Sequence, residues 1–304
     1  MLDLYALFVT TATSEPDVNV RAWRATMGPA TRVIFDINGP QRDSEILQVA
    51  EDGQPDIIFY TGGESGPGLP SVETLQALRK ITKTVQIQGD MGDPPWHPML
   101  KLYRERECFD LQVGMDGVSE APIDYVTLTP IDPEPFNRPP RKRNFQCGFA
   151  GNHIGRERFR HLKGLGLATD PRSEILHALG DLLQLREREL DGSYASYIAF
   201  YRRCRMMLNT SWAGSGLVHH VKGRVLESAF AGCALLEMAE SQTGHWFPAD
   251  SFFTYRSVAE AADIIRSVSN EEIAERAVKF EAHARANYTP AQIFLGIVQK
   301  VGLA

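Results

Sequence analysis

Short apolar runs recur along the first half of the chain, each followed by a stretch whose apolar positions repeat at helical spacing. The runs are Leu4–Val9, Arg32–Asp36, Asp56–Tyr60, Thr84–Gln88 and Phe109–Val113, with Tyr125–Leu128 as a sixth. Several are nearly continuous in Val, Ile, Leu or Phe, the pattern of parallel strands covered on both faces. Between them the spacing predicts helices over 17–27, 42–52, 70–82 and 96–106, with Ser71 placed to cap the third. The stretch from Pro130 to Arg143 then breaks the pattern: Pro130, Pro133, Pro135, Pro139 and Pro140 resist both helix and central strand and read as a stiff linker.

Alternation resumes after the linker. Strands are expected at Phe145–Ala150, Met206–Asn209, Ala234–Met238 and near 252–255, and helices over 156–164, 172–190, 194–205 and 222–231. Three amphipathic stretches, 257–268, 271–286 and 290–302, close the chain. The expected fold class is α/β, with two Rossmann-like domains whose parallel sheets face a central cleft. The domains are read as 1–138 and 139–290, with a C-terminal helix over 291–304 packing back toward the first. Ligands of such sheets bind beyond the carboxyl ends of the strands, so the residues just after each strand carry the functional interest.

Composition narrows the function. Hydrophobic residues make up 43% of 304, enough for two real cores. Residues 1–140 hold 11 Lys and Arg against 21 Asp and Glu, whereas 141–304 hold 21 against 17. An acidic first half is a poor nucleic-acid surface, while a mildly basic second half suits a small phosphorylated ligand. The four cysteines, Cys108, Cys147, Cys204 and Cys233, are scattered without a CxxC pair, which points to reduced thiols and the cytoplasm. The opening MLDLYALFVTTATSEP lacks the marks of a signal peptide, and no run reaches the roughly 20 apolar residues of a membrane span. Composition leaves peripheral membrane contact open.

The most informative stretch is NTSWAGSGLVHHVKGRVLESAFAGCALLE, from Asn209 to Glu237. A loop with Gly214 and Gly216 turns into a helix near Lys222 that stops at Gly232. Val225, Leu226, Ala229 and Phe230 form its apolar face; Arg224 and Glu227 share the opposite one. Two readings fit. One is an ordinary Arg–Glu pair on a wet helix surface. The other is a diphosphate site, in which the helix N-terminus, Lys222 and Arg224 meet phosphate and Glu227 accepts hydrogen bonds from ribose hydroxyls.

The run KGRVLESAFAGCALLEM resembles the donor-binding motif of GT-B glycosyltransferases of the group-1-like, CgeB-like kind. YASYIAFYRRCRMMLNTSW and NFQCGFAGNHIGRERFRHLKGL resemble that family's helix-to-strand segment and opening donor-domain strand. The likeness covers residues 145–290 well and 55–115 loosely. It implies the GT-B fold, hexosyl transfer from a nucleotide diphosphate-sugar, no essential metal, and no cofactor beyond that co-substrate. It assigns ribose to Glu227 and phosphate to Lys222 and Arg224. Retaining relatives carry a second glutamate eight positions earlier; here that position is His219, which leaves retention or inversion open and makes His219 a candidate at the donor sugar. Gly216 belongs to the same donor loop. Asn152, His153 and Arg156 follow the Phe145–Ala150 strand and are further donor candidates, although Arg156 and Arg160 also fit a solvated helix stripe.

On the acceptor side, TTATSEP, TGGESGPG and GDMGDPPWHP follow three strands. Gly62 and Gly63 permit close backbone approach, and Glu64 and Asp93 are carboxylates at strand tips. Trp96 offers a flat face for a sugar ring. Asp90 is the candidate general base for an acceptor hydroxyl, its alternative being plain turn chemistry. No metal spacing, GxSxG elbow or Walker A loop is present. The reading is a glycosyltransferase acting on a glycan, protein or small-molecule acceptor. Its alternatives are a nucleotide-sugar epimerase of the same fold or a non-catalytic nucleotide-sugar binding protein.

Overall fold

A computed structural model describes residues 3–11, 17–62, 66–118, 122–137, 142–151, 154, 156–167, 169–186 and 193–304. The chain divides into two compact units. The first comprises Met1–Asp132, Ala213–Gly223 and Asn287–Ala304; the second comprises Pro133–Trp212 and Arg224–Ala286.

The first unit is built on a parallel sheet of β1 (Ala6–Thr11), β2 (Ala30–Phe35), β3 (Ile57–Thr61), β4 (Lys83–Gln88), β5 (Leu111–Gly114) and β6 (Tyr125–Val126), in the order β2-β1-β3-β4-β5-β6. Its central strands β1 and β3 are largely apolar and buried because both their faces are covered. On one face Leu7, Val9, Phe35, Ile58 and Leu75 pack together. On the other, Phe8 stacks on Phe59 at 4.9 Å, and Trp23 meets Phe59 at 5.2 Å and Phe294 at 5.0 Å. Phe294 belongs to the last helix, Pro290–Lys300. Burying each such side chain contributes about 1.5–3 kcal/mol, so this helix is part of the first unit's core. Ser71 caps the helix Val72–Ile81, its hydroxyl accepting from the Thr74 N–H.

The second unit carries β7 (Phe145–Phe149), β8 (Gln184–Leu185), β9 (Cys204–Leu208), β10 (Ala234–Met238) and β11 (Phe253–Tyr255), parallel in the order β11-β10-β9-β7-β8. Strand order reverses between β1 and β3 in the first sheet and between β7 and β9 in the second, as in doubly wound folds. The helix expected over 172–190 is shorter. It runs Pro171–Leu179 and ends at Gly180, whose φ of 55° no ordinary helix continues; a 3-10 turn and β8 follow. Within the proline-rich segment, Glu134–Phe136 forms a 3-10 turn that buries Phe136 near Tyr194 and Tyr201. Among the described residues, no helix is long and apolar enough to cross a membrane.

Candidate functional site

The helix after β9 runs Gly223–Phe230. Gly232, with φ 63°, ends it: its N–H bonds the Ala229 carbonyl and the Cys233 N–H bonds that of Ser228. Arg143 closes the same end, donating to the carbonyls of Ala231 (2.8 Å) and Gly232 (2.7 Å). Val225 through Phe230 are all buried, so the face shared by Arg224 and Glu227 is not a wet surface.

Glu227 is only 8% exposed. Its Oε2 accepts from the Tyr197 hydroxyl at 2.5 Å and the Tyr201 hydroxyl at 3.1 Å, and the two tyrosine oxygens lie 2.9 Å apart. Both tyrosines sit one turn apart on the helix Tyr194–Tyr201, which is why they reach one carboxylate. Burial, reinforced by the charge of Glu227, pushes both phenols well above their usual range, so they stay donors. Arg224 places its guanidinium 4.7 Å from the Phe149 ring centre and donates from Nη1 to Asn209 Oδ1 at 3.1 Å. A stacked, hydrogen-bonded guanidinium is pre-oriented for an anion.

Asn209 stands just past β9 and is fully buried. Its Nδ2 donates to Glu237 Oε2 at 2.8 Å, and Thr243 Oγ1 donates to the same oxygen at 2.9 Å. Glu237 lies inside β10 with no exposure, and burial lifts its carboxyl to about 7. Sequence reasoning passed over Asn209, Glu237, Tyr197 and Tyr201. The available signals were an acid within the apolar run ALLEM and two tyrosines four residues apart.

The loop Ala213–Gly223 belongs to the first unit. The Ser215 N–H bonds Asp93 Oδ2 at 2.9 Å, the Ser215 hydroxyl donates to Asp93 Oδ1, and the Val221 N–H bonds the Asp116 carbonyl at 2.7 Å. Asp93 is therefore a buried anchor for this loop. Gly216 adopts φ 75° in an exposed turn closed by its N–H on Ala213. Asp90, two residues past β4 and 41% exposed, has its Oδ1 3.2 Å from Nδ1 of buried His220. The histidine brought to Asp90 is thus His220; neighbouring His219 is half-buried, as is Lys222. Asp116 adds a buried carboxylate that the sequence reading omitted. It accepts from the Gly92 and Val118 N–H groups, and burial outweighs these bonds and lifts it to about 6. Trp96 is half-buried in the 3-10 turn Pro94–Trp96, and Gly62 packs so tightly that a Cβ would lie 2.7 Å from the Tyr60 hydroxyl.

Gly63, Glu64, Asn152 and His153 lie outside the described residues, and of Arg156 only its place at the start of the helix Arg156–Gly164 is described. Among the described residues, no group of three or more His, Cys, Asp and Glu side chains is placed to hold a metal ion.

Residues 172–298, a stretch that takes in Asn209, Arg224, Glu227 and Glu237, match the model of the glycosyl transferase-like family. No curated protein matches the sequence. Among solved structures, the Anabaena protein HepE in complex with UDP superposes with a TM-score of 0.64 at 11% identity, covering 99% of this chain and 100% of that one. A glycosyltransferase from Rickettsia africae gives 0.61 at 10% identity over 98% of each chain, and OtsA in its apo form 0.59 at 11% over 99% of each. The chain has the GT-B fold of glycosyltransferases, two Rossmann-like domains, and over residues 172–298 it carries the sequence pattern of the glycosyl transferase-like family.

Proposed function

We propose that the chain transfers a hexose from a nucleoside diphosphate-sugar to an acceptor hydroxyl. The observation that carries the reading is the pair on the helix Gly223–Phe230: a guanidinium stacked on Phe149 and a buried carboxylate gripped by two tyrosines. An isolated surface ion pair needs neither the burial nor the second set of partners. Fold relatives support the choice of ligand, since HepE is described with UDP and with UDP-glucose. In this reading Arg224, with Lys222, neutralises the diphosphate as it leaves, and Glu227 accepts from the ribose hydroxyls. Asp90, beside His220 on the first unit, takes the acceptor proton.

The test is to incubate the protein with UDP-glucose and other nucleotide sugars, with and without a panel of acceptor glycans and alcohols, and follow both UDP and sugar. Acceptor-dependent UDP release with a new glycosidic product, strongly reduced in Asp90→Asn, is the expected result. Donor turnover to free or epimerised sugar regardless of acceptor argues for an epimerase. Tight binding with intact donor argues for a binding protein.

A further inference from the structure

Arg224 depends on an amide whose orientation is set from behind. The backbone of Asn209 is pinned on both sides: its N–H bonds the Leu236 carbonyl at 2.8 Å, and its carbonyl accepts from the Tyr255 hydroxyl at 2.9 Å. Only the side-chain amide has a choice, because turning it over exchanges its oxygen and nitrogen. Glu237 removes that choice. Its Oε1 accepts from the Met238 N–H at 2.9 Å, and its Oε2 accepts from Thr243 Oγ1 and Asn209 Nδ2. Three donors converge on one buried carboxyl group, which above about pH 7 is ionised and can only accept. The Asn209 nitrogen must face Glu237, so its oxygen must face Arg224, where it receives Nη1 at 3.1 Å.

We propose that Glu237 is a positioning residue for the donor site, acting through Asn209 to present an acceptor to Arg224 and hold its guanidinium on Phe149 in the phosphate-binding pose. The proposal rests on the reading of Arg224 as a diphosphate contact. It gives a fully buried acid in β10 a task that packing alone does not require, since an apolar strand residue would fill the same place without the desolvation cost of a carboxylate.

The chemistry allows a polarity exchange as the test. In Glu237→Gln the new side chain must still accept from the Met238 N–H, so it offers an N–H to residue 209. Asn209 then turns its oxygen to that new amide and its nitrogen to Arg224, donor against donor. Changing residue 209 as well, in Glu237→Gln with Asn209→Asp, restores an acceptor on both sides. UDP affinity, measured by isothermal titration calorimetry on the full chain, should fall about 10-fold or more in Glu237→Gln. It should return to within about 3-fold of the starting protein in the double variant. Thr243→Val, which removes a donor to Glu237 without turning Asn209, should bind UDP as the starting protein does. A general packing role predicts instead that Thr243→Val loses affinity too, and that the double variant does not recover. Either result overturns the proposal, as does unchanged affinity in Glu237→Gln. If Glu237→Gln does not fold, recovery of binding by the double variant remains a direct measurement. Arg224→Ala separates the two levels. If it binds UDP normally, the functional reading itself fails; if it loses UDP while Glu237→Gln keeps it, only the positioning role fails.

Discussion

A methyl group added at Gly151 should displace the guanidinium of Arg224 without unfolding the protein. A Cβ there would lie 2.5 Å from Arg224 Nη2 and 3.0 Å from the Phe149 ring, where ordinary contact begins at 3.4 Å. The guanidinium must therefore retreat by roughly 1 Å, which its flexible stem allows; Gly151 is not among the positive-φ glycines, so alanine fits the backbone. Two interactions weaken together: the stacking on Phe149, worth about 0.5–2 kcal/mol, and the charged hydrogen bond to Asn209, worth about 1.5–3 kcal/mol. A phosphate contact misplaced by this much should cost about 10- to 100-fold in UDP affinity. Calorimetric titration of Gly151→Ala with UDP, alongside its melting temperature, reads both consequences. In the Arg224→Ala background the same change should have almost no further effect, because the group it disturbs is gone. Wild-type affinity in Gly151→Ala, or a full additive loss in the double variant, is incompatible with a phosphate-binding pose of Arg224 held against Phe149.

Glu237 and Asp116 have carboxyls lifted by burial from 4.5 to about 7 and from 3.8 to about 6. Between those limits the folded chain binds more protons than the unfolded one, so both groups make stability fall as pH rises from about 4 to 7, by roughly 3 kcal/mol each. Urea midpoints taken across this range should be less pH-dependent in Glu237→Gln; an unaltered slope contradicts the assignment. Asp93→Ala removes the acceptor of both Ser215 donors and should cost about 1–3 kcal/mol. Hydrogen exchange should quicken at the Ser215 and Leu217 amides in that variant, and unchanged protection there counts against the anchor role.

Both sheets were legible in the sequence because parallel strands buried on two faces leave continuous apolar runs, and Ala234–Met238 falls on the expected residues. Gln184–Leu185 was not, since a two-residue strand has no periodicity and exists only by pairing with β7. The helix carrying Arg224 and Glu227 announced itself through its apolar face and Gly232. Its burial did not, because the tyrosines that take up Glu227 lie 30 and 26 positions away. The same holds for Asp90. Its place at a strand tip was readable, yet His220 lies 130 positions away in sequence and only the folded loop brings it to Asp90. Glu237 is the clearest case: within ALLEM it reads as an odd residue in a strand, and only the adjacent end of β9 supplies Asn209.

In the proposed function Arg224 and Glu227 together grip a nucleoside diphosphate. Titrating UDP into the purified protein and into Glu227→Ala, with melting curves on both, measures that grip. Saturable one-site binding is expected in the first and its loss in the second, with a variant that still melts cooperatively. Equal affinity in the two proteins contradicts that reading.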